Sequence, residues 1–318
     1  MAVGILFGGS SIAALQGDII LAHHDATIGF LGPKLSKSLD SSMDKPNKFK
    51  TAEYAYHHGL LDGVINKDMV PDLLIKIIST VTKTTMGGAT KVTSPPEFTR
   101  HDGWSCVKLS RSGDQPSVRQ TINALCDSFV DLHGDRMEGD DPAIIGGIGN
   151  IAGKPVILVG HNTPKNNLET QVRAHFGMPH AYGLRKAVRL IELGDQLNYP
   201  IITMIDSPGM FVDVSNESVG IAGWAGTLMR SMISVSVPTV GLILGEGASG
   251  SALVFALTDR LIMNDRSWFG VIAPESAAKL VWKEDKNMKQ TKEMAEALKL
   301  DPGYMLDNHI TDQVIQWI

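Results

Sequence analysis

An internal repeat constrains the fold of this chain more than any other feature of its sequence. Residues 245 to 274 read GEGASGSALVFALTDRLIMNDRSWFGVIAP, and residues 7 to 33 read FGGSSIAALQGDIILAHHDATIGFLGP. An offset of 241 residues aligns the two segments without a gap and matches these pairs of identical residues: Gly9 with Gly250, Ser10 with Ser251, Asp18 with Asp259, Gly29 with Gly270, and Pro33 with Pro274. After a slip of nine residues, Asp62 in HHGLLDGVI aligns with Asp312 in DNHITDQVI. The pattern predicts two copies of one structural unit.

The two copies are incomplete at opposite ends. The second copy follows more than 100 residues of strand and helix patterns, whereas the first has only seven residues before its glycines. The first copy is followed by a helical segment, MVPDLLIKIISTVTK, and the second stops at Ile318. A sheet that lacks half of its strands exposes edges that promote aggregation. We therefore expect a complementary chain, or an intertwined homo-oligomer, to supply the front of the first unit.

A segment rich in threonine, glycine and proline, KTTMGGATKVTSPPEFT, separates the two units. We place one domain at residues 1–86, a linker at 87–99 and a second domain at 100–318. In the second domain, AIIGGIGNIAGKPVILVGHN predicts a β-hairpin, GLRKAVRLIELGDQLN predicts an amphipathic helix, and PIITMIDSPG and PTVGLILG predict buried strands on either side of a helix around GWAGTLMRSMIS. This alternation predicts a largely parallel α/β sheet that is covered on both faces.

The composition argues against several classes of function. A net charge of −5 and a pI of about 6.0 give no field that would attract nucleic acid or an acidic membrane surface. No apolar run reaches the roughly 18 residues of a membrane-spanning helix. The two cysteines, Cys106 and Cys126, form no ligand motif, and the histidines show no metal-ligand spacing. We therefore expect a cytoplasmic protein with no metal, no nucleic-acid partner and no membrane contact.

The repeated phrase has a chemical use. The strand TVGLIL runs into Gly-Glu-Gly-Ala-Ser-Gly-Ser and then into an apolar helix, which is predicted over SALVFALTDRLI. Free N–H groups at the start of a helix bind anions, and small residues let a substrate oxygen approach them. The segment is thus suited to hold an enolate or another oxyanion. The alternative is a glycine turn that only packs a helix against a strand, but the presence of two equivalent copies favours the anion site.

Other candidate residues lie outside the repeat. His161 directly follows the strand PVILVG, and it is the histidine that we most expect to face a cleft. Cys126 belongs to a helical stripe that begins after Pro116-Ser117, so we expect it to pack in the core. The segment His133-Gly134-Asp135-Arg136 is interpreted as an ion-pair corner. Neither a phosphate loop nor a Gly-x-Ser-x-Gly nucleophile motif occurs.

Several motifs together resemble a known family. LHGDRMEGDDPAIIGGI, GKPVILVGHN, HFGMP, GLRKAVRL, PIITMIDSPG, VPTVGLILGEGASGSAL and FGVIAPESAAKLVWK resemble the carboxyltransferase alpha subunit of bacterial acetyl-CoA carboxylase over about residues 100–318. Residues 7–83 resemble the C-terminal part of its beta subunit. The resemblance implies an α/β, crotonase-like (ClpP/crotonase) fold built as a ββα superhelix, with one partial unit and one nearly complete unit.

The resemblance also implies an activity. Members of this family move carboxylate from carboxybiotin, which is held on a biotin carboxyl carrier protein, to acetyl-CoA, and the product malonyl-CoA serves fatty-acid synthesis. In the family, one amide pair stabilises the thioester enolate and another the biotin ureido oxyanion. By motif, Gly250 and Ser251 match the pair of the alpha subunit, and Gly8 and Gly9 match the pair of the beta subunit. For binding of the cofactor and coenzyme A, the matched residues are Arg185, Lys186, Gly209, Gly177 and His161. A solvated helix face is the alternative for Arg185 and Lys186.

Two other functions stay open at this point. The stretch after DSPG lacks the family's usual alanine-tyrosine-proline-glycine, and the zinc ribbon and first half of the beta subunit are absent from the sequence. A crotonase-type lyase, such as a malonyl-thioester decarboxylase, would keep the enolate site without needing biotin. A non-catalytic assembly subunit would keep only the fold.

Overall fold

The computed structural model describes residues 4–6, 9–29, 50–82, 97–165, 167–282 and 288–316. The strands in these residues are β1 (Ile5–Leu6), β2 (Leu21–His23), β3 (Thr27–Ile28), β4 (Gly63–Ile65), β5 (Ser128–Asp131), β6 (Ile144–Ile151), β7 (Lys154–His161), β8 (Ile201–Ser207), β9 (Thr239–Ala248), β10 (Arg260–Asn264), β11 (Trp268–Gly270) and β12 (Gln313–Ile315).

The α-helices are α1 (Gly9–Ala14), α2 (Ala52–His57), α3 (Val70–Thr82), α4 (Gly103–Ser110), α5 (Val118–Leu125), α6 (Leu168–Arg173), α7 (Ala181–Leu197), α8 (Val214–Ser218), α9 (Ile221–Ser234), α10 (Ser249–Phe255), α11 (Pro274–Val281), α12 (Lys289–Ala297) and α13 (Pro302–Asp307). Short 3-10 helices span Lys67–Met69 and His175–Gly177. Within the described ranges, no helix combines the length and the apolar character needed to cross a membrane.

One large sheet organises the second domain. Its strands follow the order β12-β10-β9-β8-β7-β6-β5, and β11 pairs with the end of β9. The predicted hairpin is β6 and β7, which pair in antiparallel fashion, and β7, β8, β9, β10 and β12 are parallel. The prediction of a largely parallel α/β sheet is confirmed. The carboxyl ends of β7, β8 and β9 therefore meet at one edge.

Both faces of this sheet are covered, as the apolar strands predict. Successive side chains of a strand point to opposite faces. Accordingly Ile157 packs in the core cluster beneath α7, α9 and α10, whereas its neighbour Leu158 packs in the cluster beneath α5. Cys126 packs against this second cluster, and burial raises the pKa of its thiol to about 11. It is therefore a packing residue.

The register of the strands confirms the two copies. β2 pairs with β4 so that Leu21 lies opposite Gly63, and β10 pairs with β12 so that Ile262 lies opposite Gln313. These are the residues that the offset of 241 and the slip of nine align. Strand β1 pairs with β3 in the same register in which the end of β9 pairs with β11, once the offset of 241 is applied. The repeat seen in the sequence is thus a repeat of backbone geometry.

The helix predicted over SALVFALTDRLI is wrong in its second half. α10 ends at Phe255, and β10 begins at Arg260. The carboxylate of Asp259 accepts hydrogen bonds from the N–H and the hydroxyl of Thr239 at the start of β9, at 2.8 and 3.0 Å. These two hydrogen bonds hold the chain at the edge of the sheet. The residues that follow then pair with β9 as strand β10 and do not continue the helix.

Helix α3 joins the two copies. It follows the first copy in the chain, but it packs on β5, β6 and β7 of the second domain. Its buried residue Thr80 shares a hydrogen bond of 2.9 Å with the hydroxyl of Ser128, and the carbonyl of Thr80 accepts one from the Asn150 amide at 3.0 Å. The end of the predicted first domain, at residue 86, and most of the predicted linker lie outside the described residues.

Candidate active site

Two glycine loops lie side by side at the carboxyl edge of the large sheet. One follows β8 and carries Gly209 and Met210, and the other follows β9 and carries Ser249 and Gly250. A Cβ atom on Gly209 would lie 3.9 Å from the Cβ of Ser249, and one on Gly250 would lie 3.2 Å from the terminal methyl of Met210. The structure therefore brings together two glycines that were predicted to belong to one site.

The loop after β9 leads into helix α10 with free backbone donors. Ala248 is the N-cap residue and makes no side-chain capping bond, and Ser249 has a left-handed φ of 64°. The first N–H groups of a helix have no partner within the helix. Here they belong to Gly250, which carries no Cβ, and to its neighbours. This arrangement offers oriented hydrogen-bond donors to an anionic oxygen.

The side chain of Ser251 does not obstruct the loop. The residue is fully buried, and its Oγ lies 2.7 Å from Nε2 of His161. The hydroxyl is therefore bonded inside the protein, and the backbone N–H of Ser251 keeps its place at the helix start.

His161 lies beneath this loop and is not exposed to a cleft. The expectation that this histidine faces a cleft is therefore wrong. The side chain is fully buried at the end of β7, and its ring meets the edge of Phe255 at 4.9 Å. Burial lowers its pKa to about 3, so the imidazole is neutral at physiological pH. The strand places His161 at the correct edge of the sheet, but helix α10 covers it.

Gly177 connects a third segment to the same edge. Its φ is 76°, and a Cβ atom would lie 2.3 Å from Oγ1 of Thr163 and 2.7 Å from the carbonyl oxygen of Asp206. Only glycine fits here, because both the conformation and the close backbone approach exclude a side chain. The segment HFGMP is thereby held against the end of β8.

A group of charged residues next to the loops was not predicted from the sequence. The carboxylate of Asp206 lies 2.7 Å from Nζ of Lys165 and accepts the N–H of Glu246 at 3.0 Å. Arg111 bridges Glu246 at 2.8 Å and Glu275 at 2.5 Å. Burial raises the pKa of Glu246. A signal did exist, since Glu246 and Asp206 are acidic residues within otherwise apolar strands.

Arg185 and Lys186 are held in ion pairs inside the protein. Their side chains are 7% and 4% exposed, and they pair with Asp135 at 2.7 Å and Asp140 at 2.6 Å respectively. The alternative of a solvated helix face is therefore wrong. Contact with coenzyme A phosphates stays a prediction, although it would require these ion pairs to open. Arg136 pairs with Asp62, so the interpretation of residues 133–136 as an ion-pair corner is confirmed.

The first copy also has a helix that starts near this position. Helix α1 begins at Gly9, and the offset of 241 places this residue on Gly250 of α10. Gly8, the other predicted residue of this pair, lies outside the described residues.

Comparisons with known proteins agree with this fold. Two solved structures share the fold over 99% of this chain with a TM-score of 0.76: transcarboxylase 12S, at 19% identity and over 61% of that chain, and a single-chain, multi-domain long-chain acyl-CoA carboxylase, at 18% identity and over 30% of that chain. The fold is therefore the crotonase-like fold of carboxyltransferases. Residues 78–317 match the acetyl co-enzyme A carboxylase carboxyltransferase-like family, and the chain belongs to that family.

Two groups of curated relatives match different lengths of the chain. The carboxyl transferase alpha subunit of Carboxydothermus hydrogenoformans acetyl-coenzyme A carboxylase is 41% identical over 67% of this chain and 64% of its own length. The beta/alpha subunits of Salinispora arenicola are 30% identical over 97% of this chain. The chain spans about half of those beta/alpha relatives, or 56% of their length.

Proposed function

We propose that this chain is a component of a biotin-dependent acyl-CoA carboxyltransferase, with acetyl-CoA as the substrate and malonyl-CoA as the product. The observation that carries the proposal is the contact between the Gly209 and Gly250 loops, where the free amides of α10 lie at the carboxyl edge of the sheet. This site lies within the segment that matches the carboxyltransferase family.

In the proposed reaction, a proton leaves the methyl group of the acetyl thioester and the resulting carbon attacks the carboxyl carbon. Negative charge develops on the thioester oxygen, where the N–H groups of Gly250 and Ser251 stabilise it. Carboxybiotin, when bound, would supply the carboxyl group and, after giving it up, a basic ring nitrogen for the methyl proton. The first copy would hold the ureido oxygen with Gly8 and Gly9. The role of the protein is to hold the two anionic oxygens, and with them the two substrates, in the correct relative positions.

A carrier protein bearing biotin and a chain that completes the first unit are the proposed partners. In the second copy, β10 lies between β9 and β12. The equivalent strand of the first copy, β2, pairs only with β4 among the described residues. An edge strand of this kind accepts a strand from another chain. The two thiols are free, which fits the cytoplasm as the proposed location.

The reverse reaction tests the proposal. We would incubate the full chain with malonyl-CoA, with and without biocytin, and alone or with a candidate partner chain. Loss of malonyl-CoA that depends on biocytin is the expected result. Loss that does not need biocytin would instead indicate a malonyl-thioester decarboxylase. No turnover in any mixture would contradict the proposal and leave an assembly subunit.

A further inference from the structure

Three side chains beside the active-site loops converge on one small space. Asp141 precedes β6, His175 lies in the 3-10 helix after α6, and His180 directly precedes α7. One ligand atom from each lies within 4.8 Å of the other two. The Nδ1 atom of His175 is 3.9 Å from one carboxylate oxygen of Asp141, and the Nδ1 atom of His180 is 3.5 Å from the other.

Both histidine nitrogens are buried and neither has a hydrogen-bond partner in the described part of the chain. Buried polar atoms in folded proteins are nearly always satisfied, and an exception calls for a ligand, an ion or a water molecule. The Asp141 carboxylate is fully buried and already accepts the N–H groups of Ala143 and His180, at 2.9 and 2.7 Å. Those bonds fix its position while leaving each oxygen a second lone pair.

The surroundings hold the two rings in place. The His180 ring stacks on Phe211 at 4.5 Å, and the His175 ring lies 5.0 Å from the same phenyl group. His175 and Phe176 both adopt left-handed backbone conformations, with φ of 48° and 54°. Non-glycine residues keep such conformations only where their surroundings impose them. Residues with such strained conformations cluster at functional sites.

We propose that Asp141, His175 and His180 form a binding site for one zinc-class transition-metal ion. Two imidazole nitrogens and one carboxylate oxygen are a ligand set that Zn²⁺ and its neighbours in the first transition row accept. Tetrahedral bonds of this kind place ligand atoms about 3.3 Å apart, so the separations of 3.9 and 3.5 Å between the histidine nitrogens and the Asp141 carboxylate would have to shorten when an ion binds. A fourth position would be left for water or another ligand.

The bound ion has a structural consequence for the loops. It fastens the segment that contains Gly177 and the start of α7 to Asp141. Phe211, which covers the two rings, follows Met210 in the Gly209 loop. Metal binding would therefore make this edge of the sheet more rigid. The proposal does not depend on the carboxyltransferase reaction, because an inactive chain would bind the ion equally well.

Spacing along the chain does not reveal this group. The two histidines are five residues apart, which is not a helical metal-ligand spacing, and Asp141 comes from 34 residues earlier. The backbone reversal at His175 and Phe176 is what brings the two rings together.

Titration of the full chain with Zn²⁺ after dialysis against a chelator tests the proposal by calorimetry. We expect one tightly bound ion per chain and a higher Tm in its presence, because an ion that binds only the folded state stabilises that state. His175→Gln and His180→Gln should each weaken the affinity more than about 100-fold, since they remove a direct ligand and not merely an outer contact.

The group of His23, His24 and Asp25 provides the control, because its ligand atoms are also close enough to share an ion and two of its members, His24 and Asp25, are exposed. His24→Ala should leave the tight site intact. Circular dichroism and the Tm without metal would verify that each variant is folded. The proposal is overturned if the folded wild-type chain binds no stoichiometric Zn²⁺, or if the tight site is lost in His24→Ala and retained in both glutamine variants.

Discussion

Asp62 and Asp312 occupy equivalent positions in the two copies, and each carboxylate accepts a hydrogen bond from a backbone N–H. The two donor residues are also equivalent, since the offset of 241 aligns them. These donors are Ile20, at 2.7 Å, and Leu261, at 2.8 Å. The remaining partners differ. Asp62 is 1% exposed and contacts two arginines of the second domain, whereas Asp312 is 39% exposed and pairs with Arg260 at the surface. At this position of the repeat, Asp62 therefore acts as a clamp between the two copies, whereas Asp312 does not.

The two aspartates should therefore contribute unequally to stability. Asp62→Ala leaves the partly buried charges of Arg136 and Arg189 without this partner, and we expect the free energy of unfolding to fall by about 3–5 kcal/mol. Asp312→Ala loses one backbone hydrogen bond and a surface ion pair, so a loss of about 1–2 kcal/mol is expected. Urea unfolding of both variants measures the difference. Equal losses would show that Asp62 is not a clamp.

Gly250 should matter for the rate of the proposed reaction more than for folding. In Gly250→Val, the added Cβ would lie 3.2 Å from the flexible end of Met210, and the branched side chain should block approach to the amides. Loss of one such donor typically lowers kcat about 10²- to 10³-fold. The assay is biocytin-dependent loss of malonyl-CoA. Gly226→Ala is the matched control, since its Cβ would enter open space on α9, and that variant should retain its rate.

The hydroxyl of Ser251 should serve stability and not the reaction. Ser251→Ala removes the bond to His161 and leaves a buried ring nitrogen unsatisfied, which costs about 1–3 kcal/mol. The backbone N–H remains, so the rate per folded molecule should change far less than in Gly250→Val. Thermal unfolding and the same assay separate the two effects, with the exposed Ser236→Ala as the control. A rate loss as large as that of Gly250→Val would give the hydroxyl a part in the chemistry.

His161 should make stability depend on pH. Burial lowers its pKa from 6.5 to about 3, so between these values the unfolded chain binds more protons than the folded one. The contribution is complete above the unfolded pKa and is lost as the pH falls towards the folded pKa, by up to about 1.4 kcal/mol per pH unit. His161→Gln should reduce this slope in urea unfolding at a series of pH values, and His309→Gln, at an exposed position, should not. An unchanged slope in His161→Gln would contradict the assignment.

Much of the fold could be predicted because its signals are local or repeated. Alternating apolar strands and helices indicated the covered parallel sheet, and the aligned glycines and aspartates indicated the repeat. The end of α10 could not be predicted in this way. Ala256 to Ile262 reads as helical on apolar content alone, and the bond from Asp259 to Thr239 that returns the chain to the sheet is visible only in three dimensions.

Only part of the candidate site could be predicted, because some of its residues carry a local sequence signal and others do not. Gly177 carries a strong signal because its positive φ and its close backbone contact require glycine, and Gly209 has a φ of 148° that favours glycine. Gly250 was identified by the repeat. The environments of Arg185, Lys186 and His161 carry none, since burial depends on which elements cover a side chain. Arg185 is charged and lies on an amphipathic helix, yet Asp135 and Glu138 from a distant turn enclose it.

The position of helix α3 has a consequence for how the molecule unfolds. Because this helix leaves the first copy and packs on the sheet of the second, neither half of the chain can lose its structure without uncovering apolar surface of the other. The duplicated halves should melt in a single cooperative transition. If the two pieces were produced as separate polypeptides, α3 would be one of the contacts through which they reassemble.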